Sequence, residues 1–123
     1  MTDLEVLKAA RASITDPDNW AQGEFRDQDG RMCLAGAILD AAGYAVDGGV
    51  CLLGDAAVPW QLHPAISAVQ SDLNDRAIPV FNDTSTHGDV LALLDRVIAK
   101  LEEAEYGNPL PPLPAEAREA VAA

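Results

Sequence analysis

Apolar residues at the start of the chain recur at helical spacing. Val6, Ala10 and Ile14 fall every fourth position with Leu7 beside them, which predicts a helix over residues 2–15. Thr2 is suited to cap it, and Glu5 three residues on completes a capping box. Asp16-Pro17 ends it, because proline disfavours helical geometry in the residue before it. The period is then lost. Residues 20–31, WAQGEFRDQDGR, read as a connection pinned to the core by Trp20 and Phe25.

Residues 31–43, RMCLAGAILDAAG, are apolar almost all round, with only Arg31 and Asp40 charged. A helix without a polar face belongs in the centre of a fold. Gly36 costs about 1 kcal/mol against alanine inside a helix, so it points to a neighbouring helix or loop that comes close. Residues 44–59 place Asp47-Gly48-Gly49 between short apolar runs. That pattern is compatible with a small hairpin or with an irregular loop. Leu62, Ile66, Val69 and Leu73 predict a third helix over 60–75, its true first turn near His63 and Pro64. Residues 76–86 read as a second connection with Ile78, Val80 and Phe81 buried. The clearest helix is 87–105, with Val90, Leu91, Leu94, Val97, Ile98 and Leu101 on one face. Thr86 and Asp89 fit its N-terminus, and Gly107 its end. Asn108 to Pro114 reads as extended polyproline II, followed by a short helix over 115–122.

The expected fold class is therefore mainly α. It is a compact bundle of about four helices with two long loops and a Pro-rich C-terminal tail. A helical domain spans 1–107 and the tail 108–123. A length of 123 residues fits one domain. Apolar residues at 49% with aromatics at 5% point to a core of aliphatic helix faces.

A net charge of −12 changes the functional picture. Such a surface repels phosphates and anionic lipid, so neither direct nucleic-acid binding nor membrane association is expected. A protein partner is favoured, and a basic one if the acidic surface is used. No stretch approaches the about 20 apolar residues that span a bilayer, and the first residues lack a signal-peptide core. The expected compartment is the cytoplasm, with Cys33 and Cys51 as free thiols.

Candidate chemistry centres on Cys33. At a helix N-terminus the macrodipole lowers a thiol pKa. A nucleophilic cysteine also needs a base, His87 or His63, and an orienting group, Asn82 or Asp83. Against that stands the run Leu34-Ala35-Gly36-Ala37-Ile38, which suits a buried thiol packed as a small apolar group. Asn82-Asp83-Thr84-Ser85-Thr86 precedes a helix and suits either anion binding or simple capping. Asp27-Gln28-Asp29-Gly30 departs from a calcium loop, since glycine falls fourth and Ile38 stands where the bidentate glutamate belongs. Neither the cysteine spacing nor the two histidines suits zinc, so no metal and no cofactor are expected. Trp20 and Trp60 read as core anchors, and the PxxP spacing in the tail as a linker or a ligand for an aromatic groove.

The pattern Trp20-Ala21-Gln22-Gly23, then Asp29-Gly30, then Cys33-Leu34-Ala35-Gly36-Ala37-Ile38 has a familiar form. With Phe81-Asn82-Asp83 and Val90 to Ile98, it resembles a family of uncharacterised small proteins of actinobacteria and their phages, a domain of unknown function. The resemblance covers roughly residues 4–101. It implies a small, mainly helical domain and a phage or mobile-element connection, and it brings no activity and no active site.

The leading expectation is a small acidic non-enzymatic binding or accessory protein. A cysteine-dependent hydrolase or transferase using Cys33, His87, Asn82 and Asp83 is the alternative. A further one is a nucleic-acid mimic built on Glu102, Glu103, Glu105, Glu116 and Glu119. For binding, the candidates are Trp20, Gln22, Phe81, Asn82 and Asp83. Their two loops are expected to meet over the start of the Cys33 helix. Asn82 or Asp83 would there accept hydrogen bonds from its free N–H groups, and a ligand would enter at that junction.

Overall fold

Helix α1, Asp3–Ser13, begins where Thr2 Oγ1 accepts the Glu5 N–H at 3.1 Å. The computed structural model describes residues 1–104. Leu4, Val6, Leu7 and Ala10 turn inward from α1, with Ile14 just after it. Helix α2, Leu34–Ala41, is the central element, and every residue from Leu34 to Leu39 is buried. Helices α1, α3 (Pro64–Ser71) and α4 (Ile78–Thr84) surround it. Helix α5, His87–Glu102, closes the fold against α1 and α3.

The expected four-helix bundle is overturned. Among the described residues there are five α-helices and a three-stranded antiparallel sheet. The sheet occupies most of the ambiguous stretch 44–59. Strands β1 (Ala45–Asp47), β2 (Val50–Leu53) and β3 (Ala56–Ala57) form a meander in the order β1-β2-β3. Gly48 and Gly54 turn its corners in the left-handed region, φ 54° and 63°, which glycine adopts without a Cβ penalty. Val46 and Cys51 face each other across the ladder and are the buried pair that fastens it to the core.

The second connection also proves helical. Residues 78–84 form α4, with Pro79 in the first turn, where its missing N–H is not needed. Val80, expected inside, is 52% exposed, because Ile78, Phe81 and Asn82 take the inner face of α4. The predicted third helix is broken. Trp60–Leu62 is a 3-10 turn, and α3 starts only at Pro64 after His63 caps it. Leu62 therefore leaves the apolar stripe and stands 75% exposed. Helix α5 carries both halves of the expected Thr86–Asp89 capping box. Its outer face is tied down by Arg11 to Asp95 and by Arg96 and Lys100 to Asp72. Gly107, the Pro-rich tail and the terminal helix over 115–122 lie outside the described residues.

Candidate functional site

The loop after α1 can lie against α2 because Gly36 has no side chain. A Cβ there would sit 2.0 Å from the Phe25 carbonyl oxygen. This close approach brings Trp20, Gln22 and Gly23 to the start of α2, where α4 meets them. Asn82, fully buried on α4, occupies the junction. Its Oδ1 accepts the Leu34 N–H at 3.0 Å and the Trp20 indole N–H at 2.8 Å. Its Nδ2 donates to the Ala21 carbonyl at 3.0 Å and to Asp83 Oδ1 at 3.1 Å. Asp83 Oδ1 in turn accepts the Gly23 N–H at 2.8 Å. Gln22 Nε2 faces the carbonyls of Asn82, Asp83 and Ser85 at 3.1, 3.1 and 3.2 Å, at the C-terminal end of α4.

Of the residues singled out from the sequence, Trp20, Gln22, Asn82 and Asp83 thus meet, and Asn82 takes the expected place over the free N–H of Leu34. Phe81 does not join them through a polar contact. Its ring is buried, with the Arg76 guanidinium 5.9 Å from the centroid. An amide offers two donors and about two acceptor sites. All of Asn82's are spent within the protein, so the junction is internally satisfied.

Cys33 is the N-cap of α2 rather than part of its first turn, and its Sγ accepts the Gly36 N–H at 3.3 Å. Burial pushes its thiol pKa up, against the lowering effect of the Gly36 and Ala35 N–H groups, and the charge of Asp83 adds to the rise. This is the reverse of the shift expected from the helix dipole alone, because desolvation of a thiolate outweighs it. Cys33 floors a cleft of about 170 Å³ flanked by Glu24 and Asp83, two carboxylates that further disfavour an anion. The candidate bases are engaged elsewhere. His87 Nε2 lies 2.6 Å from the Ile14 carbonyl oxygen, and its ring packs on Trp20. His63 Nδ1 accepts the Ala65 N–H at 3.1 Å, and its ring meets Tyr44 edge-on. Neither histidine is hydrogen-bonded to Cys33. Of the acids in the nucleic-acid mimic, Glu102 lies 3.9 Å from Lys8, while Glu105, Glu116 and Glu119 are outside the described residues.

The open surface lies elsewhere, around Trp60. The indole packs edge-on against Phe25, with centroids 5.3 Å apart, and stays half-buried. On one side of it is a cleft of about 250 Å³ lined by Ile66, Gln70, Ile78 and Pro79. On the other is a cleft of about 280 Å³ lined by Tyr44, Leu53, Val58, Leu62 and Pro64. Leu53 is 63% exposed at its rim, near the equally open Leu62. The sequence reading missed this face by placing Leu62 on a continuous helix. Pro59 and Pro64, which bracket Leu62, were the signal that the helix could not run through it. The segment has a further property. From residue 41 to residue 75 the chain contains no Lys or Arg, while Asp47 and Asp55 are exposed.

The architecture is that of a mainly helical domain carrying a small antiparallel meander, with a saturated polar junction inside and an apolar face open beside it. The chain belongs to DUF6197, a family of unknown function whose profile matches residues 1–100. No curated protein and no solved structure matches it at a significant level. Among the described residues no helix is long and apolar enough to cross a membrane.

Proposed function

We propose that this protein acts by binding another protein through the face around Trp60, without catalysing a reaction itself. The observation that carries the reading is the pair of apolar clefts flanking one indole, with Leu53 and Leu62 standing open at the rim. Fully burying a leucine contributes about 1.5–3 kcal/mol, so a partner that covers both gains a substantial anchor. Clustered apolar exposure of this kind marks interaction surfaces. The Cys33 region supports the reading from the other side. Its thiol is held neutral, its candidate bases cap or pack other elements, and Asn82 has no valence left for a substrate.

The test compares the full-length chain with a Leu53→Asp/Leu62→Asp variant as immobilised baits in lysate of the source organism. A specific protein retained by the first, lost with the second, and rebinding after purification supports the proposal. Identical retention by both baits, or substrate turnover that depends on Cys33, overturns it.

A further inference from the structure

We infer that the segment received by the Trp60 face is basic and amphipathic, with apolar side chains for the two clefts and Lys or Arg beside them. This rests on the binding reading above and names its partner by chemistry. The clefts lie on either side of Trp60, so the occupant needs apolar anchors on both sides of the indole. The charge around them is one-sided. Arg11, Arg96, Lys100 and Lys8 are used on α1 and α5, against Asp95, Asp72 and Glu102. Arg26 and Arg31 are used by Asp40 and Asp27. Arg76 sits over the Phe81 ring. The meander and the Trp60 turn keep none of these, and Glu24, Asp47 and Asp55 form no ion pair among the described residues.

Charge complementarity then decides between occupants. A second copy would bring another net −12 to an acidic face, and like charge opposes that contact. The chain's own uncharged stretch from residue 106 to residue 114 would leave Asp47 and Asp55 unmet. A basic amphipathic segment satisfies both the clefts and the carboxylates. Helical segments of this type present anchors three, four and seven positions apart.

The experiment titrates full-length protein into labelled synthetic peptides that share leucine positions and differ in their polar residue: Leu/Lys, Leu/Gln and Leu/Glu. Anisotropy is read at about 0.05 M and about 0.5 M salt, where screening lengths differ severalfold. The Leu/Lys peptide is expected to bind about tenfold tighter than Leu/Gln at low salt, and to lose most of that advantage at high salt. Asp47→Asn/Asp55→Asn should bring Leu/Lys toward Leu/Gln while leaving Leu/Gln unchanged. Leu53→Asp/Leu62→Asp should weaken Leu/Lys about tenfold despite adding negative charge, with circular dichroism showing the fold intact.

Equal binding of Leu/Gln and Leu/Lys overturns the inference and leaves the binding reading standing. Leu/Lys binding undiminished by the leucine variant also overturns it, because diffuse attraction to an acidic chain is then enough. So does failure of all three peptides. A dimer in sedimentation that the leucine variant dissociates assigns the face to a second copy. Tighter binding of a peptide with the sequence of residues 106–114 assigns it to the chain's own tail. Either result replaces the basic partner.

Discussion

Asn82→Ala should be among the most damaging single substitutions in the domain. The side chain is fully buried and makes four hydrogen bonds. Its loss strands the Leu34 N–H, on a residue with no exposure, and the carbonyl of Ala21, at 8% exposure. An unmet buried polar group costs about 1–3 kcal/mol. The Trp20 indole N–H is half-buried and finds water more readily. The expected loss is about 4 kcal/mol, a large share of the about 5–15 kcal/mol that holds a domain together. Urea unfolding followed by circular dichroism measures it. Gln22→Ala is the internal control. Gln22 is exposed, so water replaces its three carbonyl contacts, and the cost should stay below about 1 kcal/mol. Asn82→Asp adds a pH test. It keeps an acceptor for Leu34 and Trp20 but aims a carboxylate oxygen at the Ala21 carbonyl and at Asp83. The folded pKa of that carboxyl is then raised, so its destabilising effect is smallest below the usual value of about 3.9. It grows as pH rises through the folded value. An Asn82→Ala cost under about 1 kcal/mol, or an Asn82→Asp penalty that does not change with pH, would refute the account of the junction.

Other outcomes follow from the same geometry. Gly36→Ala should lower thermal stability although alanine favours helix by about 1 kcal/mol, because the new methyl meets the Phe25 carbonyl; an unchanged or raised Tm contradicts this. Cys33 and Cys51 should stay unmodified by a thiol reagent at neutral pH until urea unfolds the chain, since burial raises both thiol pKa values. The linkage has a definite sign: stability from these neutral thiols is full below about 8.5 and falls as pH rises beyond it, so Cys33→Ala should flatten the alkaline decline. Asp72 is held below the usual carboxylate range by Lys100 and Arg96, and Asp95 by Arg11. Their contribution is present above that range and lost on acidification. Asp72→Asn should therefore cost about 1 kcal/mol at neutral pH and progressively less in acid, as urea titrations across pH would show.

The long-period elements were legible in the sequence because their signals agree. In α1 and α5 the apolar stripe, the Thr caps and the acidic partners three residues on all point one way. Gly36 was legible for a similar reason, since a costly glycine in a buried helix requires a neighbour. Asn82 was legible as a cap because a buried helix start has donors to satisfy. Helix α4 was not, since Ile78-Pro79-Val80-Phe81-Asn82-Asp83-Thr84 is rich in poor helix formers. Its conformation is supported by Gln22 at one end and by the burial of Ile78 and Phe81. The meander was not decided either, because strands of three, four and two residues give too little alternation to read. Cys33 was misjudged electrostatically. Its position on the helix could be inferred, but its burial depends on how Phe25 and α4 close over it.

The single oxygen of Asn82 also has a consequence for exchange with solvent. The Leu34 amide proton and the Trp20 indole proton belong to residues 14 apart, yet both end on that one acceptor, which arrives on a helix about 50 to 60 positions downstream. Neither proton can be released by fraying of its own segment alone. Both become free together when α4 lifts away. Hydrogen exchange of these two sites should therefore proceed at linked rates and report the opening of one cooperative unit, with a backbone proton and a side-chain proton serving as paired reporters of the same gate.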